Sequence, residues 1–477
     1  MNEAHRHSPW GDVRVAVAGL GVSGFAAADS LVHLGARVTV VDDRDGETER
    51  DKATLLGILG ADVRLGPGST SALPEPVDLV VTSPGWRPDA PLLAAAAASG
   101  VPVWGEVELA WRLRDPEHPA PWLAVTGTNG KTTAVGMLDA MLRAGGLRSA
   151  AVGNVGTPIL EAVMDPEPYD VLAVELSSFQ LHWTYSMSAQ GAAVLNIAED
   201  HVDWHGSMAA YTGDKARIYE RARAVCVYNA DQPVTEQLVR DADVVEGCRA
   251  VGFTLGIPAV GMLGVVDGFL ADRAFVDERQ SAAAELGAVD DVSPPGPHNV
   301  ANALAAAALA RAHGLSQRAV LEGLRGFEPA AHRITTVGVV DDVTYVDDSK
   351  ATNPHAAAAS LRSFDSVVWV AGGLAKGGRF DDLVGEVRDR LRGAVLIGAD
   401  RGVIADALAR HAPDVPVIEV ADTEDDVMDR VVGRAAEVAQ PGDTVLLAPG
   451  CASMDLFADY NARGDAFAAA VRKLGHS

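Results

Sequence analysis

A heptapeptide, Gly127-Thr128-Asn129-Gly130-Lys131-Thr132-Thr133, follows the apolar run Trp122–Val125 and opens an apolar helical stretch. A strand, a glycine-rich turn and a helix start in that order gather backbone N–H groups around one anion, and the helix dipole adds partial positive charge. Lys131 is placed to reach the outer phosphates of a nucleoside triphosphate, and Thr132 to offer a hydroxyl to Mg2+. Val125 stands where the full G-x-x-x-x-G-K-[ST] spacing has its first glycine, so this loop is a shortened form. Glu175 ends a second apolar run, Val171–Val174, and a carboxylate at that place is a candidate Mg2+ ligand. Glu199-Asp200-His201-Val202-Asp203-Trp204-His205 follows a third, Ala192–Asn196, and concentrates carboxylates and imidazoles at the same sheet edge. No cysteine accompanies them, so beside a phosphate loop they point to Mg2+ rather than zinc.

A fourth cluster opens the chain. Gly19-Leu20-Gly21-Val22-Ser23-Gly24 is a G-x-G-x-x-G turn after the strand-like Val13–Ala18, with Asp42 about twenty residues on. NAD fits this fingerprint, and so does any other nucleotide diphosphate, because the glycines only let a pyrophosphate approach a helix end. Arg44 adds a cation near the phosphate or base.

The elements that must hold these residues read as three successive α/β units. In the first, strands at Val13–Ala18, Arg37–Val41 and Val77–Thr82 surround a helix from Phe25 to Leu34. Asp115–Pro121 is Pro-rich and polar, a linker. The second unit runs from Trp122 through a β-like, irregular stretch, Ala250–Val292, to a long Ala-rich helix opened by Pro294–Asn302. After His332-Arg333 the pattern restarts, with strands at Val343–Val346, Val367–Ala371, Ala394–Ile397, Val415–Val420 and Thr444–Leu447. Alternation of this kind predicts mostly parallel sheets. With 477 residues, three domains are expected: 1–118, 119–334 and 335–477.

Composition narrows the function. A net charge of −26 excludes a broad nucleic-acid surface, which needs clustered Lys and Arg. Cys226, Cys248 and Cys451 are far apart and odd in number, which excludes a disulfide framework and favours inert buried thiols. The polar stretch Met1–Trp10 lacks a signal-peptide core, and no apolar run is long enough to span a bilayer. A cytoplasmic protein without membrane insertion is expected.

Taken in order, Gly127–Thr133, Glu175-Leu176-Ser177-Ser178-Phe179-Gln180, Asn196–Asp203, His298-Asn299-Val300-Ala301-Asn302 and Asp348-Ser349-Lys350-Ala351-Thr352-Asn353 resemble the Mur ligase family over nearly the whole chain. The last of these signatures, together with the Gly19–Gly24 loop and Cys451-Ala452-Ser453-Met454-Asp455, is similar to the member that adds D-glutamate. The resemblance implies a Rossmann-like UDP-binding domain, a central P-loop ATPase-type α/β domain and a C-terminal Rossmann-like domain for the amino acid. It implies an enzyme of peptidoglycan precursor assembly: ATP phosphorylates the carboxylate of UDP-MurNAc-L-alanine, and the amine of D-glutamate attacks the acyl phosphate. It implies Mg2+, at two sites, and a monomer.

By the same resemblance, Lys131, His201, Lys215 and Lys350 carry the catalysis. Gly127, Thr128, Asn129, Gly130, Lys131, Thr132, Thr133, Asn299, Asn302, Arg333 and Asp348 bind ATP. Gly21, Ser23, Asp42, Arg44, Ser83, Asn154, Ser177 and Gln180 hold the UDP substrate, Asp42 and Arg44 near the uracil. Thr352, Lys376, Ser453 and Tyr460 receive D-glutamate. Thr132 and Glu175 hold one Mg2+, His201 a second, and Lys215 joins them as a carbamate. Tyr460, Met454, Trp204 and Asp43 stand where familiar relatives carry Phe, Leu, Arg and Thr. Other readings use less of the chain. An NAD-dependent dehydrogenase leaves Gly127–Thr133, Glu175 and His201 idle, and a nucleotide sensor has no need of His201, Lys215 and Lys376. A folylpolyglutamate synthase does not account for Gly19–Gly24, and the L-alanine-adding sister enzyme is expected to carry His at Asn129.

Overall fold

A computed structural model describes residues 4–329, 331–421 and 426–475; Met1–Glu3 of the polar N-terminal stretch lie outside them. Three sheets account for the α/β reading. The first contains β1 (Arg14–Ala18), β2 (Arg37–Asp42), β3 (Asp62–Leu65), β4 (Leu79–Thr82) and β5 (Val103–Gly105), all parallel, in the order β3-β2-β1-β4-β5. The helix expected at Phe25–Leu34 spans Val22–His33, starting within the glycine turn itself.

The second sheet holds β6 (Trp122–Thr126), β7 (Ser149–Gly153), β8 (Val171–Glu175), β9 (Gly191–Val194), β10 (Val225–Asn229), β11 (Arg249–Phe253), β12 (Met262–Val266), β13 (Phe269–Asp272) and β14 (Ala284–Ala288). Its order is β14-β13-β12-β11-β10-β9-β6-β8-β7. The irregular stretch of the sequence reading resolves into β11–β14, where pairing turns antiparallel at β12–β13 and β13–β14. The Ala-rich helix covers Pro297–Ala312.

The third sheet holds β15 (Thr335–Val340), β16 (Val343–Asp347), β17 (Val367–Gly372), β18 (Leu391–Ile397), β19 (Val417–Glu419) and β20 (Thr444–Leu447), ordered β15-β16-β20-β17-β18-β19. Only β15–β16 is antiparallel. Both faces are covered at its centre, which is why β17 is apolar throughout. Val367, Trp369 and Ala371 enter one core and Val368 and Val370 the other.

By packing, the chain forms two compact units. One is Met1–Asp291 with Ala301–Phe327; the other is Val292–Val300 with Glu328–Ser477. The first two sheets share the first unit and one continuous core, from Val15 and Leu79 to Leu172 and Val194.

Candidate active site

In each sheet the assigned residues follow the C-terminal ends of strands at the point where strand order reverses, the place where open α/β sheets form a crevice. In the first sheet this is the gap between β1 and β4. Gly19 has φ +96, and a Cβ on Gly24 would lie 1.8 Å from the Gly19 carbonyl oxygen. The helix therefore starts as close to the strand as a backbone can. Ser83, after β4, borders both glycines, and its hydroxyl is buried without a hydrogen-bond partner among the described residues. Asp42 is buried and engaged: Oδ2 accepts the Leu20 N–H at 2.7 Å, and Oδ1 accepts the Arg44 N–H at 2.9 Å. It shapes the glycine turn and fixes Arg44, whose side chain stays exposed.

In the second sheet β6 lies between β8 and β9. Three chain segments thus leave neighbouring strands together: the phosphate loop, Glu175-Leu176-Ser177 and Asn196–His201. Asn196 clasps the loop from one side. Its Oδ1 accepts the Asn129 N–H at 2.9 Å, and its Nδ2 donates to the Asn129 carbonyl at 3.1 Å. The Thr128 hydroxyl pairs with Tyr211 Oη at 2.8 Å and accepts the Ala198 N–H. Gly130, at φ +83, leaves room for the Asn302 amide; a Cβ there would meet Asn302 Oδ1 at 2.3 Å.

Lys131 Nζ donates to the carbonyls of Gly127 (2.9 Å) and Thr128 (3.0 Å), and Lys215 Nζ to the same Gly127 carbonyl at 2.8 Å. Two lysine side chains therefore share one acceptor. Burial, then the charge of Lys131, pushes the Lys215 amine well below its ordinary pKa, with Asp200 and Glu175 opposing. His201 belongs to the same electrostatic group. Burial lowers its pKa, Asp200 raises it, and Lys131 and Lys215 lower it further. Three basic groups gathered at one helix start, two of them held toward the neutral form, suit a bound anion, which would restore their charge.

Glu175 Oε1 accepts Asn154 Nδ2 at 2.8 Å, while Oε2 is buried without a hydrogen-bond partner among the described residues. A buried, unsatisfied carboxylate oxygen is unstable unless something binds it. With the Thr132 hydroxyl near the same helix start, the donors are hard oxygens of the kind Mg2+ takes. Among the described residues no group of three or more His, Cys, Asp or Glu could hold a metal, so any ion here needs Thr132, a modified Lys215 or substrate oxygens as well. Ser177 and Gln180 close a capping box at the helix Ser178–His182, so each is already hydrogen-bonded to the other.

Two features of this region escaped the sequence reading. Asp214, beside Lys215, is held by His182 Nδ1 and His205 Nδ1, both at 2.9 Å, and His205 Nε2 meets the Ser178 hydroxyl at 3.0 Å. Burial pushes the Asp214 carboxyl up, but these imidazoles hold it down at about 2. Trp204, where the family pattern has Arg, donates its indole N–H to the Gly85 carbonyl at 3.2 Å, and Arg87 donates to the Asp203 carbonyl at 3.0 Å. The loop bearing His201 is thereby tied to the loop after β4. Spacing alone could not find these contacts, because they join elements distant in the chain.

In the second compact unit, β20 lies between β16 and β17, and loops follow all three. Asp348 is buried; burial pushes its carboxyl up to about 6, against the Ser360 hydroxyl that donates to it and the Arg333 charge. Lys350 Nζ lies 3.7 Å from the Tyr460 ring centroid. Ser453 is buried, Thr352 is partly exposed, and Lys376 is exposed at φ +49. Asn299 Nδ2 donates to the Pro294 carbonyl at 3.0 Å. Arg463, unremarked in the sequence, joins two of these loops. It is 1% exposed and donates to Ser349 Oγ, the Ser349 carbonyl and the Cys451 carbonyl at 2.9–3.1 Å. His332 Nδ1 pairs with Asp347 Oδ2 at 2.6 Å.

Known proteins resemble this chain domain by domain. Family models match in three successive blocks: the Mur ligase MurD-like N-terminal domain at residues 13–105, the Mur ligase middle domain at 125–310, and the Mur ligase glutamate ligase domain at 332–451. A UDP-N-acetylmuramoylalanine–D-glutamate ligase of Streptomyces avermitilis is 64% identical, over 98% of this chain and 99% of that protein. The enzyme of that name from Thermobifida fusca is 55% identical, over 97% and 98%. The fold matches solved structures at lower identity. The UDP-N-acetylmuramate-alanine ligase MurC of Thermotoga maritima has a TM-score of 0.59 at 19% identity, over 96% of this chain and 99% of that one. The MurF ligase of Thermotoga maritima in complex with ADP has 0.55 at 16%, over 97% and 96%. With three domain models spanning most of its length and relatives identical at more than half their positions, the chain belongs to the Mur ligase family.

Proposed function

We propose that the chain is an ATP-dependent ligase that adds D-glutamate to UDP-N-acetylmuramoyl-L-alanine in cytoplasmic peptidoglycan precursor synthesis. The observation that carries this reading is the convergence of Lys131, Lys215, His201 and the unsatisfied Glu175 oxygen around one phosphate loop. A carboxylate is a poor electrophile because its leaving group is an oxide. Transfer of the γ-phosphoryl group to that carboxylate releases ADP and leaves an acyl phosphate. The amine then attacks the acyl carbon, and inorganic phosphate departs. The protein's work is positioning and charge neutralisation.

Residues 1–118 hold the UDP substrate, 119–334 bind ATP, and 335–477 receive the amino acid. Gly21, Ser23, Ser83 and Arg44 line the UDP site with Asp42 behind them, and Asn154, Ser177 and Gln180 hold the sugar–diphosphate stem. Lys131 exchanges its loop carbonyls for the β- and γ-phosphates. Asn299, Asn302, Arg333 and Asp348 grip ATP, and Lys350 lies by its ribose or phosphates. Thr352, Lys376, Ser453 and Tyr460 receive D-glutamate, Lys376 pairing with a carboxylate. Thr132 and Glu175 would hold one Mg2+, His201 a second, and a Lys215 carbamate would complete the oxygen set; the ions would supply charge neutralisation at the triphosphate.

A phosphate-release assay tests the proposal, with UDP-N-acetylmuramoyl-L-alanine, ATP and Mg2+ offered with D-glutamate, L-glutamate or other amino acids in turn. Release that depends on D-glutamate is expected. Release without preference among amines, or none, would sink it.

A further inference from the structure

Cys226 is the second residue of the buried strand β10, and Cys248 stands just before β11. These strands are parallel neighbours with Cys226 beside Ala250, two residues past Cys248. The pairing brings the two sulfurs to 3.8 Å, although 22 positions separate them. Neither thiol takes part in the chemistry above. Cys226 is buried in the core, whereas Cys248 is partly exposed.

We propose that Cys248 and Cys226 form a peroxide-reactive dithiol that closes to an intramolecular disulfide within the native fold. The sulfurs are already in van der Waals contact at 3.8 Å, against a bond length of about 2 Å. The two sites differ in a way that orders the steps. The hydrogen bond between the sulfurs raises the Cys226 pKa, as does burial. The same bond lowers that of Cys248, burial opposes, and the Arg249 N–H lowers it again. Cys248, the partly exposed sulfur, is thus the better nucleophile. Its thiolate attacks hydrogen peroxide, the O–O bond breaks, and sulfenic acid and hydroxide form. The Cys226 thiol then displaces water from that sulfenic acid, and the S–S bond closes. Peroxide takes the two electrons and leaves as hydroxide and water.

The test uses the full chain, reduced and then treated with a small excess of hydrogen peroxide, denatured and alkylated. Two of the three thiols are expected to escape alkylation, and peptide mapping should find Cys226 linked to Cys248. C451S should behave as the parent does, and C248S should keep its thiols. C226S should stop at a sulfenic acid on Cys248 that dimedone traps. Three alkylatable thiols after peroxide, or sulfinic acid at Cys248 in the parent without a disulfide, would overturn the proposal. So would a bond between two chains. The oxidised parent should melt at a higher temperature than the reduced one; a lower melting temperature would show that the bond distorts the strands and that the pair is not pre-positioned.

Discussion

At Lys215 a side chain that ordinarily carries charge is 1% exposed beside Lys131. Burial and like charge both favour the neutral amine, and a neutral amine adds carbon dioxide to give an anionic carbamate. Lys215→Ala should lower turnover by about 100-fold or more, and acetate or formate should restore part of it; full activity without added acid would dismiss the carbamate. Asp348 shows the same effect of burial on an acid. Its folded carboxyl titrates at about 6, above the ordinary ~3.9, so between those values the folded chain holds the extra proton. Stability from this group is complete below pH ~4 and is lost as pH rises through 6, by ~3 kcal/mol. Asp348→Asn should therefore melt several degrees above the parent at pH 8, with the gap closing near pH 4.5, while ATP turnover falls. A variant no more stable at pH 8 would refute the burden assigned to that carboxylate. The reactive residue types here were legible because motif and chemistry coincide at Lys131, Glu175 and His201. The roles of Asn196, Asp214 and Arg463 were not, since their partners are 67, 32 and 114 positions away.

Among the elements, long apolar runs read correctly and short or weak ones did not. β3 is Asp62-Val63-Arg64-Leu65, half exposed at a sheet edge, and β7 is Ser149–Gly153, built of small residues. Neither has the β-branched or aromatic content that marks a strand. The expected strand Val415–Val420 shrinks to Val417–Glu419, because Pro416 cannot donate to a ladder. The glycine turn after β1 makes the sharper claim. Gly24 is required by a carbonyl 1.8 Å from where a methyl would sit. Gly24→Ala should cost ~1–3 kcal/mol and weaken UDP-substrate binding more than ATP binding. An alanine variant with the parent's melting temperature and substrate affinity would show that the helix start can move away freely.

Over the whole molecule, three α/β sheets were anticipated, but the way they group was not. The first two share one core, and Val292–Val300 packs with the C-terminal sheet although it precedes the central helix. Such grouping depends on which apolar faces meet, and a single sequence does not record that. Residues assigned to ATP fall in both compact units, Lys131 and Asn302 in one and Arg333 and Asp348 in the other. The proposed grip of both sets on one nucleotide predicts ligand-linked closure. Small-angle scattering should give a smaller radius of gyration with a non-hydrolysable ATP analogue and the UDP substrate; identical profiles would exclude it. The crowding of Lys131, Lys215 and His201 also bears on how the purified protein should be handled. Sulfate and inorganic phosphate suit a helix start rimmed by basic groups. Buffers rich in either oxyanion should raise the melting temperature and slow the reaction together, and crystals grown from sulfate should carry it where the terminal phosphoryl group of the nucleotide belongs.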